Sequence, residues 1–422
     1  MKDFILKGDI VFATSNREIK TFKNGYLVCV NNLVKGVFSS LPNEYKSLDI
    51  LDYSNKLIVP GFYDLHVHAS QYQYRGTGMD EELLAWLNKY AFDEEKKFND
   101  INYAKKAYKM FVDELKRGFT TRANIFATSS KEATLELMRQ LEESGLISNV
   151  GLVEMDRGSP KEIQQESVSK ALKDTEEYIL ESQKFTNTNA IITPRFLPSC
   201  SGELMKGLSL LRKKYNLPLQ SHLDENLDEI SLVLKLENDI KNYSEGYLKY
   251  DLFGGDCHTV MAHCVYNNED EISLLKERGV YVAHCPESNL NLASGIAPIS
   301  KYLDNGIKVG LGSDVAAGSS LSLLRAARQS IQVSKLYYRY IDHDARKLDC
   351  LDAFYMLTLG GGSFFGDVGS FIEGYEFDAL VIDDSLPPSL REFSMNERIE
   401  RLFYIGDEQL IKAKFVRGKQ II

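Results

Sequence analysis

Leu57-Ile-Val-Pro-Gly-Phe-Tyr-Asp-Leu-His-Val-His-Ala-Ser-Gln71 is the stretch on which the fold turns. Leu57 to Val59 is an apolar run of strand character. Pro60-Gly61 breaks it, and a second run, Phe62 to Val67, carries the chain into His66 and His68. Alternate residues of a strand point the same way. Two imidazoles at i and i+2 can therefore face one point and serve as two ligands of one metal ion. A His-x-His pair also arises by chance on wet surfaces, so the rest of the chain must supply partners.

Downstream of Leu57 the sequence alternates between strand and helix signals. Strands are predicted at Phe62–His68, Phe119–Phe126, Asn149–Glu154, Ala190–Phe196, Leu217–His222, Thr259–Cys264, Tyr281–Cys285 and Lys308–Ser313. Amphipathic helices are predicted between them, at Asn102–Lys116, Ser130–Ser144, Pro160–Gln183, Gly202–Tyr215, Asp228–Glu237 and Asp270–Gly279. A long helix follows at Ser320–Tyr340, and another starts at Asp352 and stops at the glycines 360–362. Eight strands alternating with helices predict an α/β fold, a (β/α)8 TIM-like barrel, over residues 60–367. Residues 1–59 carry short strand signals and an Asn24-Gly25 turn signal. Residues 368–422 return to β character at Ala379–Ile382, Ile399–Ile405 and Lys412–Val416. Neither end is long enough for a sizeable core, so the two are expected to build one small β-sandwich beside the barrel.

In such a barrel the chemistry lies at the C-terminal ends of the strands. His66 and His68 end the first strand, His222 the fifth, His263 the sixth and Asp314 the eighth. Five metal-capable side chains on one rim favour a metal centre over scattered surface histidines.

Composition narrows the function classes. A net charge of -10 argues against a general binder of nucleic acid or anionic membrane. The first residues meet charge too soon for a signal peptide, and no apolar run is long enough to span a bilayer. The six cysteines are scattered without a CxxC pair, which suits reduced thiols in a cytoplasm. The same absence removes the deaminase type of zinc site that needs PCxxC. No GxGxxG or Walker sequence marks a nucleotide site.

The segments PGFYDLHVH (60–68), SHLDEN (221–226), MAHCVY (261–266), VAHCPESN (282–289) and GLGSDVAAG (310–318) resemble the successive motifs of the metal-dependent amidohydrolase superfamily. The resemblance covers essentially the whole chain. HASQY (68–72), LLAWLNKYAF (83–92), TPRF (193–196), CSGELM (200–205) and HLDEN (222–226) narrow it to the guanine deaminase family. That resemblance implies His66, His68, His222 and Asp314 as ligands of one Zn²⁺ per subunit, though the donor set also accepts Fe²⁺ and other divalent ions. It implies Glu225 as proton shuttle, with His263 and Asp314 assisting, and Gln71, Arg195 and Phe196 as contacts to guanine. The implied reaction is hydrolysis of guanine to xanthine and ammonia, in a cytoplasmic homodimer. Two other readings stand beside it. One is the same chemistry on 8-oxoguanine, a pterin or an aminotriazine; the other is a catalytically silent scaffold, which would be expected to have lost ligands.

Some residues depart from the family pattern: Ser70, Asp224, Ala317, and Arg122, expected at the end of the second strand and paired with Asp224 or another acid. His258 and His343 are expected at the surface, and His284 as a buried, hydrogen-bonded histidine. Cys264 and Cys285 have no reason to act as nucleophiles beside a metal hydroxide. The tyrosines at 337–340 are expected in packing or an interface. The acid-rich 93–97 region is expected to be a solvated face or a loop near the site mouth.

Overall fold

A computed structural model of the chain describes residues 3–256, 258–385 and 387–422. Met1, Lys2, Cys257 and Leu386 lie outside the described residues. Phe62–His68, Thr120–Phe126, Ile147–Gly151, Thr188–Ala190, Leu219–Leu223, Thr259–His263, Tyr281–His284 and Val309–Leu311 form one parallel eight-stranded sheet. The first of these strands lies between the second and the eighth. The ring closes between fourth and fifth strands, where Ile192 N–H donates to Pro218 O at 3.0 Å and Gln220 N–H to Ile192 O at 3.0 Å. Helices cover the ring in alternation, as expected for strands buried on both faces. Ile101–Arg117 buries its Ala104, Ala107, Tyr108, Phe111, Val112 and Leu115 stripe. Lys131–Ser144 is capped by Ser130 and ended by left-handed Gly145, φ 82°.

Both chain ends build one mixed seven-stranded sheet. Its order is Lys419–Gln420, Ile411–Val416, Ala379–Ile382, Asp49–Pro60, Phe4–Ser15, Glu18–Val30 and Leu33–Phe38. Leu57–Pro60 runs through its middle, parallel to Phe4–Ser15 and antiparallel to Ala379–Ile382. That placement explains the unbroken apolar run, since both faces are covered. Leu57 and Val59 join the large barrel core, whereas Ile58 joins a separate cluster with Phe4, Leu6, Phe12, Phe371, Phe377 and Phe415. Gly61 alone separates this strand from Phe62–His68. A Cβ there would come 2.2 Å from Thr121 Oγ1, so the close approach of Thr120–Phe126 requires glycine.

Several local expectations are corrected. Ile399–Ile405 is helical, within Met395–Ile405. A Ser394–Glu397 capping box starts it, and buried Ile399, Leu402 and Phe403 follow helical spacing. Asn24-Gly25 is no turn: both residues lie inside Glu18–Val30, at a bulge where Asn24 N–H donates to Asp9 Oδ1 at 2.8 Å. The hairpins turn at Arg17 and at Asn31-Asn32, all with positive φ. The helix expected from Pro160 begins at Val168, where Ser167 caps it. Among the described residues no helix is long and apolar enough to cross a membrane, and five cysteines are free.

Candidate active site

The C-terminal ends of the first, fifth, sixth and eighth strands converge on one cavity. His68, His222, His263, Glu225 and Asp314 line it, with Gln71, Arg195 and Phe196. His68 Nε2 lies 3.2 Å from His66 Nε2 and 3.2 Å from His222 Nε2. Asp314 Oδ1 lies 3.2 Å from His66 Nε2 and 3.5 Å from His68 Nε2. Burial, then repulsion from His66, holds the His68 and His222 imidazoles well below their ordinary value. Both are therefore neutral and carry a lone pair. His222 Nδ1 donates to Arg195 O at 2.6 Å, which aims its Nε2 lone pair at the cluster. Burial alone would raise the Asp314 carboxyl, but the charge and hydrogen bond of His66 bring it to about 2.

The imidazole nitrogens of His66, His68 and His222 face one another with the Asp314 carboxylate beside them, a donor set suited to a cation. A tetrahedral ion with Zn–N bonds of about 2.05 Å sets its ligand atoms about 3.3 Å apart. The separations of 3.2, 3.2 and 3.2 Å match that spacing. His66, His68 and His222 thus form one group whose spacing suits a small divalent ion, with Asp314 beside its His66 and His68 members. The frame is braced from within the barrel. Asp64 accepts from His66 N–H at 3.2 Å, Ser313 N–H at 3.0 Å and Ser313 Oγ at 2.5 Å, clasping the first strand to the eighth.

Glu225 and His263 stand beside this cluster. Burial, then the Asp314 charge, pushes the Glu225 carboxyl well above its ordinary value, against a 3.2 Å hydrogen bond from Ser294 Oγ. His263 Nε2 lies 3.4 Å from Glu225 Oε2 and 3.8 Å from Asp314 Oδ2. Its Nδ1 meets Asn289 Oδ1 at 2.9 Å, so with the proton assigned there Nε2 faces both carboxylates as an acceptor.

The substrate side of the cavity is built from Gln71, Arg195, Phe196, Leu83, Trp86 and Leu87. The 93–97 region does not behave as one solvated face. Asp93 is exposed, but Glu95 is buried, receiving Gln71 Nε2 at 3.1 Å and Arg195 Nη1 at 2.6 Å. Its acidic neighbours conceal it in the sequence. The signal was Phe92, three residues before it and buried too.

Other residues fall elsewhere. Arg122 pairs with Tyr63, low on its strand, and its guanidinium reaches Asp378 and Glu376 of the terminal sheet. It is far in sequence and pairing from Asp224, which meets Asn267 in a buried cluster with Glu271. His284 is buried without a hydrogen-bond partner among the described residues, and burial lowers it to about 3. His258 and His343 are exposed. Burial pushes the Cys264 and Cys285 thiols well up, away from thiolate. Tyr340 is 78% exposed, beside exposed Leu336 and Ile341.

A parallel barrel with a histidine–aspartate cluster at its C-terminal rim defines a metal-dependent hydrolase. The amidohydrolase family profile matches residues 57–421, and the chain belongs to that family. Its relatives place it among the guanine deaminases. Guanine deaminase of Dictyostelium discoideum is 35% identical over 408 residues, 94% of this chain and 88% of its own length. The Homo sapiens guanine deaminase is 34% identical over 392 residues, 90% and 86% of the two chains. The crystal structure of guanine deaminase from C. acetobutylicum with guanine in its active site is 46% identical, covers 100% of both chains and superposes with a TM-score of 0.96.

Proposed function

We propose that the chain hydrolyses guanine to xanthine and ammonia, with one Zn²⁺ per subunit on His66, His68, His222 and Asp314. One observation carries the reading: a single cavity joins the metal-fitting cluster, the Glu225 carboxyl and the Gln71–Arg195 pair. When bound, the ion supplies a water acidified to near neutrality. Glu225 would take a proton from the nucleophilic water and deliver it to N3 of the purine, leaving C2 electron-poor and open to addition of the water oxygen. His263 Nε2 hydrogen-bonds the attacking oxygen, and Asp314 helps pass the second proton to the departing amine. Ammonia leaves, and C2 becomes the carbonyl of xanthine.

Gln71 and Arg195 hold the purine by its polar edges. An amide offers an adjacent donor and acceptor, and a guanidinium offers only donors. Phe196 supplies a flat apolar wall. A wrong base would leave these buried groups unpaired, which is the basis of selection. A homodimer is expected from the family resemblance, and the free buried thiols support the reducing interior of a cytoplasm.

The test is ammonia release from guanine, with metal analysis on the same sample. Stoichiometric zinc and a preference for guanine over 8-oxoguanine, pterin and aminotriazine are expected. A metal-loaded protein that deaminates guanine no better than these would defeat the substrate assignment.

A further inference from the structure

We propose that Glu95 is the positioning residue for substrate recognition: its two carboxylate oxygens hold Gln71 and Arg195 in the only arrangement that reads the purine. This rests on the guanine reading above. Glu95 and Arg195 side chains are each only 4% exposed, so the carboxylate is placed for these partners and not for solvent. Its oxygens are divided between them, Oε1 to Gln71 and Oε2 to Arg195. Gln71 is held at its other end too, where Oε1 accepts from Ala316 N–H at 3.3 Å, two residues beyond Asp314. With Nε2 on a carboxylate and Oε1 on an N–H, the amide cannot flip without setting donor against donor. One N–H and one lone pair then remain for the cavity.

Arg195 is fixed on both sides as well. Its carbonyl orients His222, and its guanidinium lies 5.2 Å over the Phe92 ring. Without Glu95 this buried cation would lose its counter-charge and turn elsewhere. Glu95 is absent from the cavity wall and so acts through its two partners.

The experiment compares wild type, E95Q, E95D, Q71A and Q71A/E95Q, each with guanine kinetics, metal content and unfolding midpoint. E95Q is expected to hold its metal and raise KM for guanine about 10- to 100-fold, the usual loss when an outer support is removed. E95D, keeping the charge, is expected to recover part of it. In the Q71A background the E95Q effect should shrink, because one of its two routes is gone. A merely structural Glu95 would lower the midpoint while the folded, metal-loaded fraction kept its KM. The proposal is overturned if that fraction of E95Q stays within about threefold of wild-type KM, or if the Q71A and E95Q effects simply multiply. Should E95Q not fold, E95D takes its place in the cycle under the same outcomes. An inactive wild type would instead overturn the guanine reading itself.

Discussion

Replacing Arg122 by methionine should cost about 3–5 kcal/mol of stability without touching the site. The guanidinium is 1% exposed and meets Asp378 twice, Nε to Oδ2 at 2.7 Å and Nη2 to Oδ1 at 3.0 Å. Asp378 is fully buried as well, and its remaining partners are Tyr63 Oη at 3.3 Å and Arg417 N–H at 2.8 Å. Methionine fills a similar length but leaves that carboxylate unpaired. The alternative, keeping an ordinary aspartic acid protonated at pH 7, costs about 4 kcal/mol, so both routes give the same size. At about 2.1 cal/mol/K per residue, 422 residues carry an unfolding entropy near 0.9 kcal/mol/K. The expected fall in midpoint is therefore about 3–6 °C, read by thermal scanning at one fixed rate. R122M/D378N removes both charges and should regain at least half of it. A single variant within about 1 °C of wild type, or a double variant no better than the single, would refute the argument.

Three further outcomes are expected. Glu225→Gln should keep its metal and its KM but lose about 10²–10⁴-fold in kcat, and near-wild-type turnover would remove the shuttle role. Chelation should abolish ammonia release and Zn²⁺ should restore it, in wild type but not in His222→Ala; activity that survives exhaustive chelation would speak against a metal mechanism. Lys414 is fully buried, donating to Lys116 O at 2.6 Å and Thr120 O at 3.0 Å, and burial lowers it to about 7. Its folded value lies below its unfolded one, so stability should rise from about pH 7 towards pH 10 by up to about 1.4 kcal/mol per unit and level off below about pH 7. Lys414→Met should flatten that slope, and parallel denaturation profiles for the two proteins would contradict it.

The barrel was legible because strands buried on both faces must be apolar throughout and must end in polar residues where a cavity begins. His66, His68, His222 and Asp314 announced themselves by that placement. Their grouping also needed the strand order, which brings the first and eighth strands side by side. Glu95 was hidden because the run Asp93-Glu-Glu-Lys-Lys97 looks uniformly wet, and only the turn of the helix sends Glu94 and Glu95 inward with Phe92. Arg122 was misplaced because strand ends are poorly marked in sequence: its neighbours Thr120 and Thr121 suit either end. Ile399–Ile405 repeats at three and four, but its continuous apolar run over 402–405 also reads as a short strand. The Ser394–Glu397 cap decides for helix, and it lies outside the apolar run.

The passage from Asp49–Pro60 through Gly61 into Phe62–His68 has a mechanical consequence. From Val59 to His66 is about 23 Å of extended chain, with one joint at Gly61, whose N–H donates to Asp378 O at 3.1 Å. The terminal sheet is thus the anchored end of a stiff lever whose free end carries two imidazoles. Tension or slack introduced at the sheet, by truncating the amino terminus or loosening Ala379–Ile382, would arrive at the metal cluster as a change in aim. The sheet is better regarded as the mount that keeps His66 and His68 pointed than as an appendage.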